Sequence, residues 1–552
     1  MAFASSFSAF KKWSGSAIAA FLDQPHRSAP GLASYTKFKL PTKYTYKRPD
    51  FLELDMEATM AAADHEIRPV MRPKKCLAMD AGYAETINAG KTHKRNEDQS
   101  VVESFFIKVA EEFWDSPKEL EKYSIPCVYF GIFDGHAGIG AGLMASALLR
   151  EHIQEKLNEI AHMLILDKEE LAKNYLNHGL IQDVNAEKLV AGALEQAFVE
   201  FDERIKSEKL DYYIDGGCTA LVALFTLGKL FVANAGDCRA VICRDFQAHQ
   251  MSFDHTPETE RQRIQNLAYM RPALLGDEFT RLQFQHRPRR KHLGTKQLYR
   301  DRHMSGWGLK VVDRSDIKPQ LVSGEGKRAK LLDTISVTRG FGDHDIEFPY
   351  CAGLKIKPFM TANPEVKVYD LKGNNFSGND VLVMASDGLW ERFNSEEVIK
   401  ILKEKFEQQP LTEPRRYIVA AQALVDEARG TLSERGWRTR NNEAASYDDI
   451  SVFVVPLGRH EDLASYVNMK KQDPKIYRDG SFAKKYVNRD EVEIQTRNAL
   501  ADKSNANNAE QLTNDKNEDG SEEIKRNEVE SKETPSTATE KTPEESNSEL
   551  NS

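Results

Sequence analysis

Acidic residues recur in this chain right beside its most strongly β-forming segments. In "VYFGIFDGH" an apolar strand-like run leads straight into Asp134, Gly135 and His136. "VLVMASDGLW" places Asp387 after another such run, and "YDDISVFVV" places Asp448 and Asp449 just before a third. "NEDQSVV" sets Glu97 and Asp98 ahead of a fourth, and "ANAGDCRAV" puts Asp237 in a turn between two strands. An acid at a strand end is commonly a turn residue or a cap, and none of these sites means much alone. Together they mean more, because the strand ends of packed sheets gather at one rim. Carboxylates brought together there repel one another and take up protons unless cations neutralise them. Hard oxygen donors, without thiolates or a histidine pair at ligand spacing, select Mg²⁺ or Mn²⁺ over zinc. One shared aspartate among several carboxylates suits two cations about 3.5–4 Å apart that make a bridging water nucleophilic. Gly135 and Gly388 directly follow two of the acids, where a sharp turn would let a backbone carbonyl face a cation. His136 lies two residues beyond Asp134, close enough to protonate a leaving oxygen; the competing reading is a hydrogen-bonded structural histidine.

The elements that must carry these residues can be read from pattern. The clearest strands are 128–133, 218–225, 230–233, 239–243, 381–384 and 450–455, and Leu227, Gly228 and Lys229 read as a hairpin turn. Apolar spacing predicts helices over about 139–160, 186–206, 395–406 and 414–427. Strands joined by tight turns, with helices in pairs between them, favour an α+β sandwich over a βαβ array. Residues 281–330 break the pattern with 14 Lys/Arg against 4 Asp/Glu, a net +10, and look like a long basic loop insertion. From Ala501 to the end there are 14 acidic and 6 basic residues, so this stretch carries −8 of the chain's net −9. Its composition predicts a disordered acidic tail, and it leaves the remainder near neutral. Six cysteines without paired short spacing exclude a disulfide framework or a zinc site. Cys127, Cys218, Cys238, Cys243 and Cys351 read as reduced, packed thiols in a reducing, cytoplasmic compartment.

Taken in order, "FDGHAGIGAG", "GGCTALVAL" with "VANAGDCRAV", "DHTPETERQRI", "ISVTRGFGD", "MASDGLWE" and "YDDISVFVV" resemble the motifs of the type-2C, metal-dependent (PPM) Ser/Thr protein phosphatases. They spread from about Ala81 to Leu457. "AGYAETINAGKTHKRNEDQ" also resembles the subgroup acting on phosphorylated Rab-type small GTPases. The resemblance implies an α-β-β-α sandwich, two antiparallel sheets flanked by helix pairs, with a long basic flap inserted at about 265–330. It implies that Asp134 bridges two Mg²⁺ or Mn²⁺ ions, with the Gly135 carbonyl completing one shell. Asp387 and Asp448 would bind the first ion. Glu97 would serve the second through water, with Asp98 supporting it, and Asp237 would help hold a weaker third. His136 becomes the general acid to the leaving Ser/Thr oxygen. Two positions depart from the family. Where an arginine often clamps the phosphate this chain has His93, leaving Lys91 and Arg95 as candidate clamps, and the usual Asp-Asn of the last motif is Asp448-Asp449.

Two rival readings stay open. An inactive relative would have lost Asp134, Asp387 or Asp448, and none is lost. A two-cation nuclease would use the basic segment, but only Phe284, Tyr299 and Trp307 interleave it, so nucleic acid is not the expected partner. The expected organisation is a mostly irregular leader at 1–75, a phosphatase domain at 76–460, an extension at 461–500 and the tail at 501–552. Within the leader, Phe3, Phe7, Phe10, Ile18 and Phe21 fall in a sector about 80° wide on a helix over 1–22. No acid precedes Asp23, and the other side carries Ser5, Lys12 and Ser16. Such a helix suits the lipid interface, peripheral on endomembranes. The alternatives are a mitochondrial presequence, which the lack of arginine before Arg27 disfavours, and packing onto the catalytic domain.

Overall fold

Alternation within the apolar runs decides which face each side chain takes. On β3 (Ser124–Phe133), Val128, Phe130 and Ile132 point one way, while Cys127, Tyr129 and Phe133 point the other. Both faces are therefore covered, and the strand is buried along nearly its whole length. The computed structural model describes residues 40–463 except 91–94, 110–123, 166–183, 277, 348–352, 412 and 414. The expected helix at 1–22, Lys91, His93, Cys351, nearly all of the extension and the acidic tail lie outside the described residues.

The main elements after β1 (Gly82–Thr86), β2 (Gln99–Lys108) and β3 are α1 (Gly140–Glu159), α2 (Ala186–Glu208), β4 (Ala220–Thr226) and β5 (Lys229–Ala235). There follow β6 (Arg239–Arg244), β7 (Gln247–Gln250), α3 (Arg261–Met270), β8 (Glu365–Asp370) and β9 (Val381–Ala385). The chain continues through α4 (Ser395–Gln408), α5 (Arg416–Arg429) and β10 (Ile450–Pro456). One five-stranded sheet has the order β8-β5-β4-β3-β2 and the other β1-β10-β9-β6-β7. Every pairing within the two sheets is antiparallel.

Between the sheets, Phe130, Leu221, Phe225 and Val232 of the first meet Tyr83, Ile242, Leu382, Met384 and Phe453 of the second. Each such side chain contributes roughly 1.5–3 kcal/mol by leaving water. On the outer face of the first sheet lie Leu149 and Ile153 of α1 with Phe198 and Phe201 of α2. The second is covered by Val398, Leu402 and Phe406 of α4 with Leu424 and Val425 of α5. Helix α4 starts where Asn394 accepts from the Glu397 amide at 2.9 Å while the Glu397 carboxylate accepts from the Asn394 amide at 2.8 Å. Layer order is thus α-β-β-α, the expected α+β sandwich. Among the described residues no helix is long and apolar enough to cross a membrane. Cys127, Cys218, Cys238 and Cys243 are free and buried.

The basic insertion departs from expectation. It is a small folded unit rather than a long loop. Gln283–Phe284, Lys296–Arg300 and Gly308–Val311 form a three-stranded antiparallel sheet. A separate core gathers Ile264, Ala268, Phe279, Leu321, Leu331, Val337, Phe359 and Met360. Most of these apolar residues flank the cationic run on both sides, so the charge density of 281–330 concealed a core contributed largely from outside it.

Candidate metal centre

Asp134 leaves the end of β3, and its carbonyl accepts from the Thr219 amide at 2.9 Å. The next two residues, Gly135 and His136, pair with Gly217 and Cys218, which also pair with Phe341 and Gly342. This narrow ribbon at the sandwich rim fixes the direction of the Asp134 and His136 side chains. Asp237 occupies the turn between β5 and β6, and Asp387 opens the short helix Asp387–Trp390 after β9. Carboxylate oxygens of Asp134, Asp237 and Asp387 all lie within 4.8 Å of one another.

The structure gives Gly135 and Gly388 a role other than a sharp turn. Neither has a positive φ. Instead, a Cβ on Gly135 would lie 2.5 Å from the Glu97 carbonyl oxygen, and one on Gly388 would lie 2.0 Å from that of Asp449. Both glycines let the strand ends close upon each other, which draws the acids together.

Crowding has an electrostatic consequence. Burial, then the charges of Asp387, Asp98, Asp237 and Asp448, holds the Asp134 carboxyl well above the usual carboxylate range. Burial and the charges of Asp237 and Asp448 do the same to Asp387. Asp237 is pushed up to about 7 by burial and by Asp254, and Glu97 to about 7, chiefly by burial. Asp98 rises to about 8 through burial and the neighbouring Asp449. Its Oδ2 accepts from the Ser386 hydroxyl at 2.7 Å, whereas Oδ1 is buried without a hydrogen-bond partner. Three converging carboxylates and an unsatisfied buried oxygen make a donor set of hard oxygens alone. That set fits Mg²⁺ or Mn²⁺, whose binding would remove the repulsion.

The residues read from sequence are not all equally close. Asp237, expected only at a weaker third position, belongs to the tight triad, while Asp448 acts on Asp134 and Asp387 from beside it. The Glu97 carboxylate accepts from the Gly138 amide at 2.8 Å, and its own amide donates to Asp449 at 2.9 Å. Asp449 thus links the Glu97 loop to the loop of Asp448, accepting also from the Asn88 amide at 2.7 Å. The exposed Arg95 guanidinium stacks over the Tyr46 ring, 5.2 Å from its centroid. His136 Nε2 is 2.8 Å from Asp343 Oδ2, a partner the sequence had not revealed. Burial disfavours the imidazolium, but the Asp343 charge and hydrogen bond outweigh it and raise the pKa. Asp343 stands in the quoted "RGFGD", where φ is +57°, and that acid at a glycine-rich turn was the available signal.

A family model described as Protein phosphatase 2C matches residues 108–283 and 318–435. The chain belongs to that family. Protein phosphatase 1H of Xenopus tropicalis is 40% identical over 500 residues, covering 80% of this chain and 98% of that protein. Human Protein phosphatase 1H is 41% identical over 76% of this chain and 92% of its own length. Human Protein phosphatase 1J is 41% identical over 79% and 90%. This chain is accordingly a protein serine/threonine phosphatase of the metal-dependent class, and its substrates are phosphoproteins. The unmatched interval between the two family segments, 284–317, carries almost all of the small three-stranded sheet, whereas the core residues of that unit lie within the matched segments.

Proposed function

We propose that the phosphatase hydrolyses phosphoserine and phosphothreonine monoesters through two divalent cations held around Asp134. The observation that carries this is the convergence of Asp134, Asp237 and Asp387 with His136 and its partner Asp343 on the same rim. Asp134 would bridge, with the Gly135 carbonyl beside it; Asp387 and Asp448 would serve one ion and Glu97 and Asp98 the other. Asp237 joins the same set or supports a third ion. Bound Mg²⁺ or Mn²⁺ would supply charge neutralisation and an activated water. His136 is the acid that protonates the leaving oxygen, and Asp343 fixes its ring and favours its charged form. Arg95 would hold the phosphate, with Lys91, outside the described residues, as the other candidate from the sequence. A phosphatase assay of the purified chain with Mg²⁺ or Mn²⁺, on phosphopeptides and phosphorylated GTPases, tests this reading directly.

For the substrate we favour phosphorylated Rab-type small GTPases, on the resemblance around residues 81–99 and the cationic insertion. The insertion's root supports a place beside the chemistry: the His255 amide donates to the Gly236 carbonyl at 2.9 Å, next to Asp237. Charge there would steer an acidic protein surface without touching the reaction. Removing 287–302 would delete the middle strand of the small sheet, so charge reversal is the cleaner change. Arg290→Glu, Lys291→Glu and Lys296→Glu together, at exposed positions, should slow a phosphoprotein substrate about tenfold at low salt. Hydrolysis of p-nitrophenyl phosphate should stay unchanged; a phosphoprotein rate that also stays unchanged would end the docking idea.

Residues 1–22 are proposed to place the enzyme at cytoplasmic membrane surfaces, a mitochondrial address being the alternative. Phe7→Asp with Phe10→Asp should release the protein from small liposomes in a flotation assay while phosphatase activity persists. Wild-type protein that ignores such liposomes, or is cleaved within mitochondria, would count against it.

A further inference from the structure

The leader is more than a linker to the catalytic sandwich. Its described part passes the end of α2, where the Tyr213 amide donates to the Pro41 carbonyl at 3.0 Å and Lys43 pairs with Glu208 at 2.8 Å. It then sends two arginines into the protein, Arg48 with 5% of its surface exposed and Arg68 with none. Burying a guanidinium is costly unless its donors are met, so the acceptors each arginine finds are informative.

Arg48 meets Glu85 with two bonds of 2.7 and 2.6 Å, and Tyr83 donates to the same carboxylate at 2.6 Å. Its remaining nitrogen reaches the Asp98 carbonyl at 2.6 Å and the Asn96 carbonyl at 3.3 Å. The guanidinium therefore grips both sides of Glu97. Arg68 has no carboxylate partner among the described residues. It donates to three backbone carbonyls, Ile87 at 2.6 Å, Ser446 at 2.7 Å and Asp448 at 2.9 Å. Its backbone adopts φ +50°, a left-handed conformation costing an ordinary residue roughly 1–2 kcal/mol. The Asp64 carbonyl accepts from its amide at 2.8 Å, and Arg429 and Thr86 donate to its carbonyl at 2.8 and 3.0 Å. A strained residue locked on every side aims one cation at the loop that carries Asp448.

We propose that Arg48 and Arg68 are positioning residues of the metal centre, the leader acting as a strap that holds the Glu97–Asp98 and Asp448 loops from behind. Both grip main-chain carbonyls of these loops rather than their acidic side chains. Asp449 ties the same two loops to each other through the Glu97 and Asn88 amides. Leader and loops thus form one hydrogen-bonded unit, and the forked, planar geometry of arginine is what spans separate carbonyls; a lysine cannot reproduce it.

The inference rests on the acidic cluster being the cation site, and the test separates the two. Mn²⁺ binding without substrate would be measured by electron paramagnetic resonance on full-length wild type, Asp134→Ala, Arg48→Lys, Arg68→Lys and Arg416→Met. Arg416 is a buried arginine on α5 whose partner is Asn379 at 2.8 Å, and it controls for general loss of packing. Each Arg→Lys change should weaken Mn²⁺ binding about tenfold. Turnover of p-nitrophenyl phosphate should return to the wild-type kcat at saturating Mn²⁺. Arg416→Met should lower Tm with Mn²⁺ binding unchanged. If wild type binds Mn²⁺ through Asp134 and both lysine variants bind it equally well, the strap is refuted and the site stands. If wild type and Asp134→Ala bind alike, both fall. Lysine variants that fail to fold by circular dichroism, or an Arg416→Met loss of Mn²⁺ affinity matching theirs, would make the arginines fold residues and also overturn the proposal.

Discussion

Asp134→Ala is expected to abolish turnover, by about 10³-fold or more, because it removes the carboxylate on which the other acids converge. Asp387→Ala and Asp237→Ala should instead raise the Mn²⁺ concentration for half-maximal activity, by about ten- to a hundredfold. Asp448→Ala should do the same more mildly, since it stands beside the triad. Excess EDTA should silence the wild type, and activity that survives chelation would end the two-cation reading. Stability gives an independent readout of opposite sign. In metal-free protein these crowded, half-buried acids oppose folding when ionised, so Asp134→Ala should melt higher than wild type in EDTA. Mn²⁺ should raise the wild-type Tm and leave that of the variant nearly unmoved. The pH dependence follows from the same crowding. Glu97 and Asp237 titrate at about 7 and Asp98 at about 8, above the ordinary carboxylate range near 4. The folded metal-free state therefore holds more protons than the unfolded chain, and its stability should fall as pH rises from about 4 through 7 to 8. A metal-free Tm that is flat over this range would contradict the cluster.

The parts of the sandwich with a strong local signal were legible. Val128, Phe130 and Ile132, or Val381, Leu382 and Val383, can hardly be anything but buried strand, and acids that interrupt such runs mark the rim. Strands β1 and β8 stood out less because Gly82 and Ala84 dilute the first and Glu365, Lys367 and Asp370 interrupt the second. The insertion was misread for a physical reason: its cations are contiguous in sequence, whereas the apolar residues of its core arrive from both flanks. Arg48 and Arg68 were illegible in principle. Their acceptors are mostly backbone carbonyls, which every residue possesses, so no spacing or composition announces the contact. Asp343 lay within a quoted motif, yet an acid after glycine reads as a turn until His136 is seen 2.8 Å away. The glycines show the same limit. Gly135 and Gly388 were correctly tied to the acids, but the reason is the approach of a distant carbonyl, which only the tertiary structure supplies.

His136→Ala should separate two substrates that differ sharply in their need for a proton. A serine or threonine alkoxide is a poor leaving group and cannot depart without one, whereas p-nitrophenolate leaves readily as the anion. Loss of a general acid typically costs about 10²–10⁴-fold where protonation matters. The phosphothreonine peptide should therefore lose at least about a hundredfold in kcat, and p-nitrophenyl phosphate only a few-fold. Asp343 makes the prediction sharper. It touches His136 Nε2 without belonging to the carboxylate triad, so Asp343→Asn should reproduce the same substrate selectivity to a smaller degree with unchanged Mn²⁺ dependence. In the double variant the Asp343 change should add nothing on the peptide, because its effect passes through the imidazole. Equal losses on both substrates for His136→Ala would make it a structural histidine, and additive losses in the double variant would detach Asp343 from the proton transfer.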